Sequence, residues 1–505
     1  MTTQTYQHYV NGQWVPSATN ETFEVLNPFN GQVVSKVARG KSAEVDKAVQ
    51  AARKAFDQGP WPRMERTERS RIIRSIADKI EADKATFVRL LIEESGATAR
   101  KADMEVDLAV RQLRHYAELA KMELKETLQD AIPGGSQNVA VREPVGVCAQ
   151  IIPWNFPLLM IVWKIGPALA TGNTIVLKPA EETPTTALRV AELVAETDLP
   201  AGVFNVVTGY GEESGAPLAQ HTLVDKVAFT GSTEVGKIIM QLAANDMKRV
   251  TLECGGKSAN IVLNDADLEQ AVDGSLFAIF FHNGQVCTAG SRLFVQDGVY
   301  DRFMEKFLER AKAIRVGDPK MNDTAIGPLV SKKQQERVLN YIEIGKKEGA
   351  NCVLGGGKPT DAALEAGCFV VPTVFTNVTN QMTIAREEIF GPVVAVIRFN
   401  TLEEAVSQAN DSPYGLAAGI WSQNEAQAML VASQLRSGTV WINDFHIYSE
   451  NAPFGGFKQS GLGRELGVES LKAYTEVKHI HKDTLGSRDK KGWYDLVVSS
   501  STPVA

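Results

Sequence analysis

From Val145 to Phe229 the chain alternates short β-branched runs with helical stripes, and this rhythm constrains the fold more than any other feature. Residues 146–152 read as a strand, followed by a Pro-containing turn and a helix around 158–169. Strand patterns at 173–178, 202–208 and 226–229 follow, with a helix through 187–196 between the first two. A βαβα succession implies a mostly parallel sheet covered by helices. Ligands bind such sheets outside the carboxyl ends of the strands, so residues just past each strand carry the most functional weight. A second α/β segment, about 257–443, has strand patterns at 260–263, 292–295 and 393–396 and a helix at 300–314.

The flanks read differently. Asn11-Gly12 and Asn30-Gly31 each sit near apolar runs, and Asn-Gly is the strongest short hairpin signal because a type I′ turn needs positive φ twice. Val45, Ala48, Val49, Ala52 and Phe56 form one helical stripe over 42–57, and helical patterns continue over 66–125 with a break near Ser95-Gly96. Residues 474–482 (YTEVKHIHK) form an amphiphilic strand suited to pairing with a partner. Beyond Asp483 the chain mixes charges with a Ser-rich tail, much of which is expected to be mobile, although Trp493, Tyr494 and Leu496 could dock.

At 505 residues two or three folding units are expected. The net charge of −7 gives no electrostatic reason to expect nucleic acid or an anionic membrane as partner, and no apolar stretch is long enough to span a bilayer. The opening MTTQTYQHYV lacks the basic and apolar regions of a signal peptide, so a cytoplasmic location is expected. Five scattered cysteines, Cys148, Cys254, Cys287, Cys352 and Cys368, argue against a disulfide framework. No zinc-type spacing occurs. His479 and His481 share a strand face without a third ligand, so no metal is expected.

Several segments past strand ends carry groups able to do chemistry. Cys287 sits in NGQVCTAG at 283–290, where flanking glycines allow close backbone approach. A lone cysteine is more often a small buried hydrophobe, and a nucleophile needs an activating base. Glu253 precedes Cys254-Gly-Gly256; it reads as a surface cap or, if buried, as a general base with raised pKa. Asn155, between Pro153 and Pro157, is either a turn residue or an amide donor facing a cleft. The strand–Gly–helix junction FTGSTEVG at 229–236 offers free N–H groups to phosphate, although its spacing is not GxGxxG. Lys178 and Glu181 follow another strand and reach toward ribose hydroxyls or merely toward solvent; an acid there favours NAD over NADP.

Together these segments resemble the aldehyde dehydrogenase superfamily. The matching motifs run in family order: PWNFPL at 153–158, LKPAEETP at 177–184, FTGSTEVG at 229–236, LECGGKS at 252–258, GQVCTAG at 284–290, EEIFGPV at 387–393, NDSPYGLAAG at 410–419 and PFGGFKQSGLGRELG at 453–467. The resemblance implies an α/β protein with a Rossmann-like cofactor domain (1–121 and 144–256), a second α/β catalytic domain (257–455) and a small β-ribbon oligomerisation element (122–143 and 470–490), followed by a tail (491–505). It implies that Cys287 attacks an aldehyde, that Asn155 and the Cys287 N–H stabilise the oxyanion, and that Glu253 activates water against the thioester. NAD is the implied cofactor, held by Lys178 and Glu181 at the adenine ribose, by Ser232 with Trp154 at the pyrophosphate, and by Glu388 with Phe390 at the nicotinamide end. Ile152, Gly211, Phe229 and Gly231 complete the implied cofactor set. A homodimer or homotetramer is the implied assembly.

The implied substrate pocket comprises Phe156, Trp163, Phe281, Tyr448 and Phe454. WINDFHIY at 441–448 and Trp163, seven residues after Phe156, resemble the betaine aldehyde and aminoaldehyde branch, which cages a quaternary amine with aromatic faces. Phe281 and Phe454 stand where tryptophans are common in that branch, so a neutral aliphatic or aromatic aldehyde fits equally. A CoA-acylating enzyme is disfavoured by Glu253, since that chemistry needs no water-activating base. A cofactor-free hydrolase would leave Lys178, Glu181 and Glu388 without purpose, and an idle scaffold is at odds with Cys287, Glu253 and Asn155 together.

Overall fold

Asn11 and Gly12 have φ of 54° and 76°, the two left-handed residues a type I′ turn requires, and they join the strands His8–Val10 and Gln13–Val15. The structure, a computed structural model, describes residues 4–498. The second Asn-Gly pair behaves otherwise. Only Gly31 is left-handed, and the strands Thr22–Leu26 and Val33–Ala38 are joined by a wider loop. Asn27 opens that loop by accepting the Phe29 N–H at 2.9 Å, an Asx turn that displaces the tight hairpin.

The hairpin of residues 8–15 forms one edge of an eight-stranded sheet. Across the sheet the order is Gly461–Leu462, Arg249–Glu253, Lys226–Thr230, Val147–Ile151, Thr174–Lys178, Phe204–Val206, His8–Val10 and Gln13–Val15. The five strands between the edges are mutually parallel, as the βαβα rhythm requires, and antiparallel pairs close both sides. Val147–Ile151 and Thr174–Lys178 are buried throughout, which accounts for their mostly apolar sequences. The run at 202–208 yields only Phe204–Val206, because Gly202 turns the chain at φ 82°.

The helices Pro157–Ala170 and Pro184–Ala195 contribute to a core shared with the helices Arg66–Ala82 and Ala99–Leu119; Ser42–Asp57 and Thr233–Ala244 contribute to a second. The helical stretch 66–125 has two breaks, at Asp83 and at Gly96, which caps Lys84–Ser95 in the left-handed region.

A seven-stranded sheet takes Asn351–Leu354, Thr373–Thr376, Val393–Phe399, Arg292–Gln296, Ala259–Val262, Ala417–Trp421 and Thr439–Ile442, all parallel except the first. The strand at the chain's end, Thr475–Asp483, pairs antiparallel with Ser136–Pro144, which also pairs with Lys125–Leu128. His479 Nε2 and His481 Nδ1 both meet the Asn138 Oδ1 at 2.9 Å. Among the described residues no group of three or more His, Cys, Asp or Glu is placed to hold a metal, and no helix is long and apolar enough to cross a membrane. Among the described residues of the tail, the alternative of docking is not realised. Trp493 and Tyr494 pack on each other with centroids 5.9 Å apart and stay half-exposed, and Leu496 is 87% exposed.

Candidate active site

The Gly255-Gly256 turn joins the two sheets and organises the centre. Glu253 ends the strand Arg249–Glu253, and the chain then runs so close to its neighbours that side chains are excluded. A Cβ on Gly255 would lie 2.2 Å from a Glu388 carboxylate oxygen, and one on Gly256 would lie 2.5 Å from the Cys287 carbonyl oxygen. The Gly256 N–H donates to Glu388 Oε1 at 3.0 Å. Residues read separately from four segments are thus brought into one place.

Cys287 follows a turn in which His282, Asn283 and Gly284 all have positive φ. The turn is locked from its buried side: Asn283 Nδ2 donates to the Gly327 and Pro328 carbonyls at 2.7 and 2.8 Å, and Gln285 Oε1 accepts the Val330 N–H at 3.0 Å. Asn155, buried past the strand Val147–Ile151, donates from Nδ2 to the Gln285 carbonyl at 2.8 Å, which sets its amide two residues from Cys287. Loss of water, with the charges of Glu388 and Glu253, pushes the Cys287 thiol up to about 12. Burial raises Glu253 well above the carboxylate range, and the nearby Glu465 adds to it. Burial also takes Glu388 to about 7. The thiol at rest is therefore protonated beside two carboxyl groups with strong proton affinity.

Glu388 and Phe390 are held from the helix Lys332–Lys347, whose Arg337 Nη2 donates to the Glu388 carbonyl at 2.7 Å and whose Gln334 Nε2 donates to the Phe390 carbonyl at 2.8 Å. Phe390 has φ 59°, a conformation a bulky residue keeps only when its surroundings enforce it. Its ring meets Trp154 edge-on at 5.3 Å.

At the carboxyl ends of the parallel strands stand the other residues expected to hold a cofactor. Lys178 Nζ pairs with Glu181 Oε2 at 3.1 Å, with Glu181 partly open to solvent. Ile152 is buried and donates its N–H to the Lys178 carbonyl. Ser232 caps the helix Thr233–Ala244, accepting the Val235 N–H with its side chain. The exposed N-terminus beyond it keeps N–H groups for an anion. The Phe229 ring lies against Gly231, and Gly211 has open space where a side chain would stand. An acid at a strand end, a helix N-terminus and an open glycine suit a dinucleotide.

The aromatic residues form two groups. Trp163, Tyr448 and Phe454 pack edge to face with centroids 5.2–6.0 Å apart, and Phe156 lies 6.1 Å from Phe281. Phe156 and Tyr448 each pack against the cores of both sheets, so the two aromatic groups lie where those cores meet. The residues that sequence reasoning missed support these: Thr288 bonds to Tyr448 and His446 at 2.8 and 3.0 Å, Lys164 forms a buried ion pair with Glu465, and Lys101 bonds to Glu105. The available signal was charge within an apolar stripe, as with Lys101 beside Ala102 and Glu105 beside Val106.

A sequence model described as the aldehyde dehydrogenase family matches residues 14–480. The chain belongs to the aldehyde dehydrogenase family. Among its aldehyde dehydrogenase relatives, the putative enzyme DhaS of Bacillus subtilis is 50% identical, with 94% of each chain covered. The human mitochondrial aldehyde dehydrogenase is 47% identical over 94% of this chain and 91% of its own. The crystal structure of betaine aldehyde dehydrogenase from Staphylococcus aureus in complex with NAD+ superposes with a TM-score of 0.94 at 43% identity, covering 95% of both chains.

Proposed function

We propose that the protein oxidises an aldehyde to the carboxylic acid with NAD+ and water, through a thioester on Cys287. The convergence of Cys287, Glu253, Glu388 and Asn155 around the Gly255-Gly256 turn carries this reading. Lys178 and Glu181 would hold the adenine ribose, Ser232 with Trp154 the pyrophosphate, and Glu388 with Phe390 the nicotinamide end, with Ile152, Gly211, Phe229 and Gly231 shaping the cleft. When bound, the nicotinamide supplies the hydride acceptor.

The chain's own residues do the rest. Glu253 accepts the Cys287 proton, for which its raised pKa suits it. The sulfur adds to the carbonyl carbon, and the resulting oxyanion receives hydrogen bonds from the Asn155 amide and the Cys287 N–H. Such a donor is worth roughly 10²–10³ in rate. Once the hydride has left and the Glu253 carboxyl has released the Cys287 proton to solvent, Glu253 takes a proton from the water that attacks the thioester; the carboxylic acid then departs, and the expelled thiolate recovers its proton from Glu253.

Phe156, Trp163, Phe281, Tyr448 and Phe454 supply an apolar pocket. The three-stranded sheet, which leaves Val477 and Ile480 half-exposed, supports a homodimer or homotetramer built on it, and a cytoplasmic setting accords with five free thiols. NADH formation across betaine aldehyde, an aminoaldehyde, straight-chain aldehydes and benzaldehyde, with Cys287→Ala in parallel, tests the function. Turnover is expected in the wild type only, and the best substrate fixes the branch; no NADH or NADPH from any aldehyde would overturn the reading.

A further inference from the structure

We propose that the buried ion pair of Lys101 and Glu105 positions Asn155, a role that rests on the reading of Asn155 as oxyanion donor. Both residues lie one turn apart on the helix Ala99–Leu119, and their side chains are 2% and 0% exposed. Stability alone does not explain the pair, because apolar residues of similar volume often serve as well in such a place. Its contacts do. Lys101 Nζ donates to Glu105 Oε2 at 2.5 Å and to the Asn155 carbonyl oxygen at 2.9 Å, and lies 4.2 Å from the centre of the Phe156 ring. Glu105 Oε1 accepts the N–H groups of Leu158 and Leu159 at 3.0 and 3.2 Å. Those donors open the helix Pro157–Ala170, whose N-cap residue Phe156 gives no side-chain cap.

Residue 155 needs such support. It lies between Pro153 and Pro157 on a link between strand and helix, and Phe156 has non-helical backbone angles. Its carbonyl is gripped by Lys101, the helix after it by Glu105, and its amide by the Gln285 carbonyl. Releasing the first two lets the peptide swing and carries the amide off the position of the oxyanion, and displacements near ~1 Å cost rate steeply. Lys101 and Glu105 are positioning residues; neither touches the reacting atoms.

Two cofactor-free reactions of Cys287 separate this role from a general structural one. 4-Nitrophenyl acetate acylates the thiol with loss of 4-nitrophenolate, through a tetrahedral oxyanion. Iodoacetamide alkylates it with loss of iodide and forms no oxyanion. Lys101→Met is expected to slow nitrophenolate release by about 10- to 100-fold, less than complete loss of an oxyanion donor, while alkylation keeps its rate. In an Asn155→Ala background the same substitution should add no further loss. Lys101→Arg, which keeps a cationic donor, should restore much of the rate. Should Lys101→Met fail to fold, Lys101→Met/Glu105→Gln removes both charges, leaves an acceptor for the helix N–H groups and is read in the same way. Acylation and alkylation falling together, or losses that multiply with those of Asn155→Ala, would overturn the proposal. A fast Asn155→Ala would instead remove the oxyanion reading beneath it, whereas a slow Asn155→Ala beside a fast Lys101→Met defeats the positioning role alone.

Discussion

The Gly256 N–H and the Glu388 carboxylate are joined by a 3.0 Å hydrogen bond across the seam between the two sheets. That bond exists only because Gly255, alongside, has no side chain. Gly255→Ala would place a methyl 2.2 Å from the carboxylate, and the backbone there is not left-handed, so the whole effect is steric. The variant is expected to lose about 1–3 kcal/mol of stability, as overpacked sites do, and at least ~10-fold in kcat. Shortening the partner should regain stability without activity: Gly255→Ala/Glu388→Ala is expected to melt above the single variant. Equal melting temperatures would show that the methyl finds room elsewhere.

Glu253 is buried beside the thiol and has no hydrogen-bond partner at Oε2 among the described residues, so its proton affinity is unspent. Glu253→Gln is expected to lower steady-state turnover by about 10²-fold or more at neutral pH. The deficit should shrink as pH rises, because hydroxide takes over proton removal. Unchanged turnover at pH 7 would assign deacylation to another group.

Cofactor choice follows from the partly open Glu181 carboxylate paired with Lys178. Glu181→Ser is expected to raise kcat/KM for NADP+ relative to NAD+ by about tenfold, since the repulsion of a 2′-phosphate disappears while Lys178 stays. A ratio that does not move would mean that Glu181 points away from the ribose in the working complex.

His446 is a buried neutral imidazole. Its Nε2 faces the Ala278 carbonyl, which only accepts, so Nε2 carries the proton and Nδ1 accepts from Thr288, which in turn accepts from Tyr448. Burial lowers its pKa from 6.5 to about 4. Between those values the unfolded chain binds a proton that the folded chain refuses, so stability present above pH 6.5 drains away as pH falls toward 4. The difference amounts to about 3 kcal/mol. His446→Gln, whose amide can reproduce both bonds, should lose correspondingly less between pH 7 and 4.5 in chemical denaturation. An identical loss in both proteins would locate the acid sensitivity elsewhere, with buried His8 and His282 next in line.

The parallel sheets were legible because their strands, buried on both faces, read as short, mostly apolar runs alternating with helical stripes, as in Val147–Ile151, where only Gln150 is polar. Of the residues placed around Cys287, Asn155 and Glu253 were legible because they lie past or at the end of a strand, whereas Glu388, which follows the helical turn Thr383–Arg386, was reached only through the family motif EEIFGPV. Other features were hidden for physical reasons. The closing of the first sheet by Gly461–Leu462 depends on contacts more than 200 residues apart, which no local period records. The Asn30-Gly31 turn was misread because Asn27 bonds to its own backbone first. Lys101 and Glu105 read as ordinary helix charges until their burial is seen.

The short strand Gly461–Leu462 has a consequence for synthesis. It pairs directly with Leu252 and Glu253, and Glu465, a few residues on, neutralises the buried Lys164. A nascent chain that has emerged only as far as Cys287 therefore has the thiol but lacks the edge that seats its base. The surroundings of Glu253 are therefore complete only once residues 461–465, far beyond the thiol in the sequence, have been translated and packed.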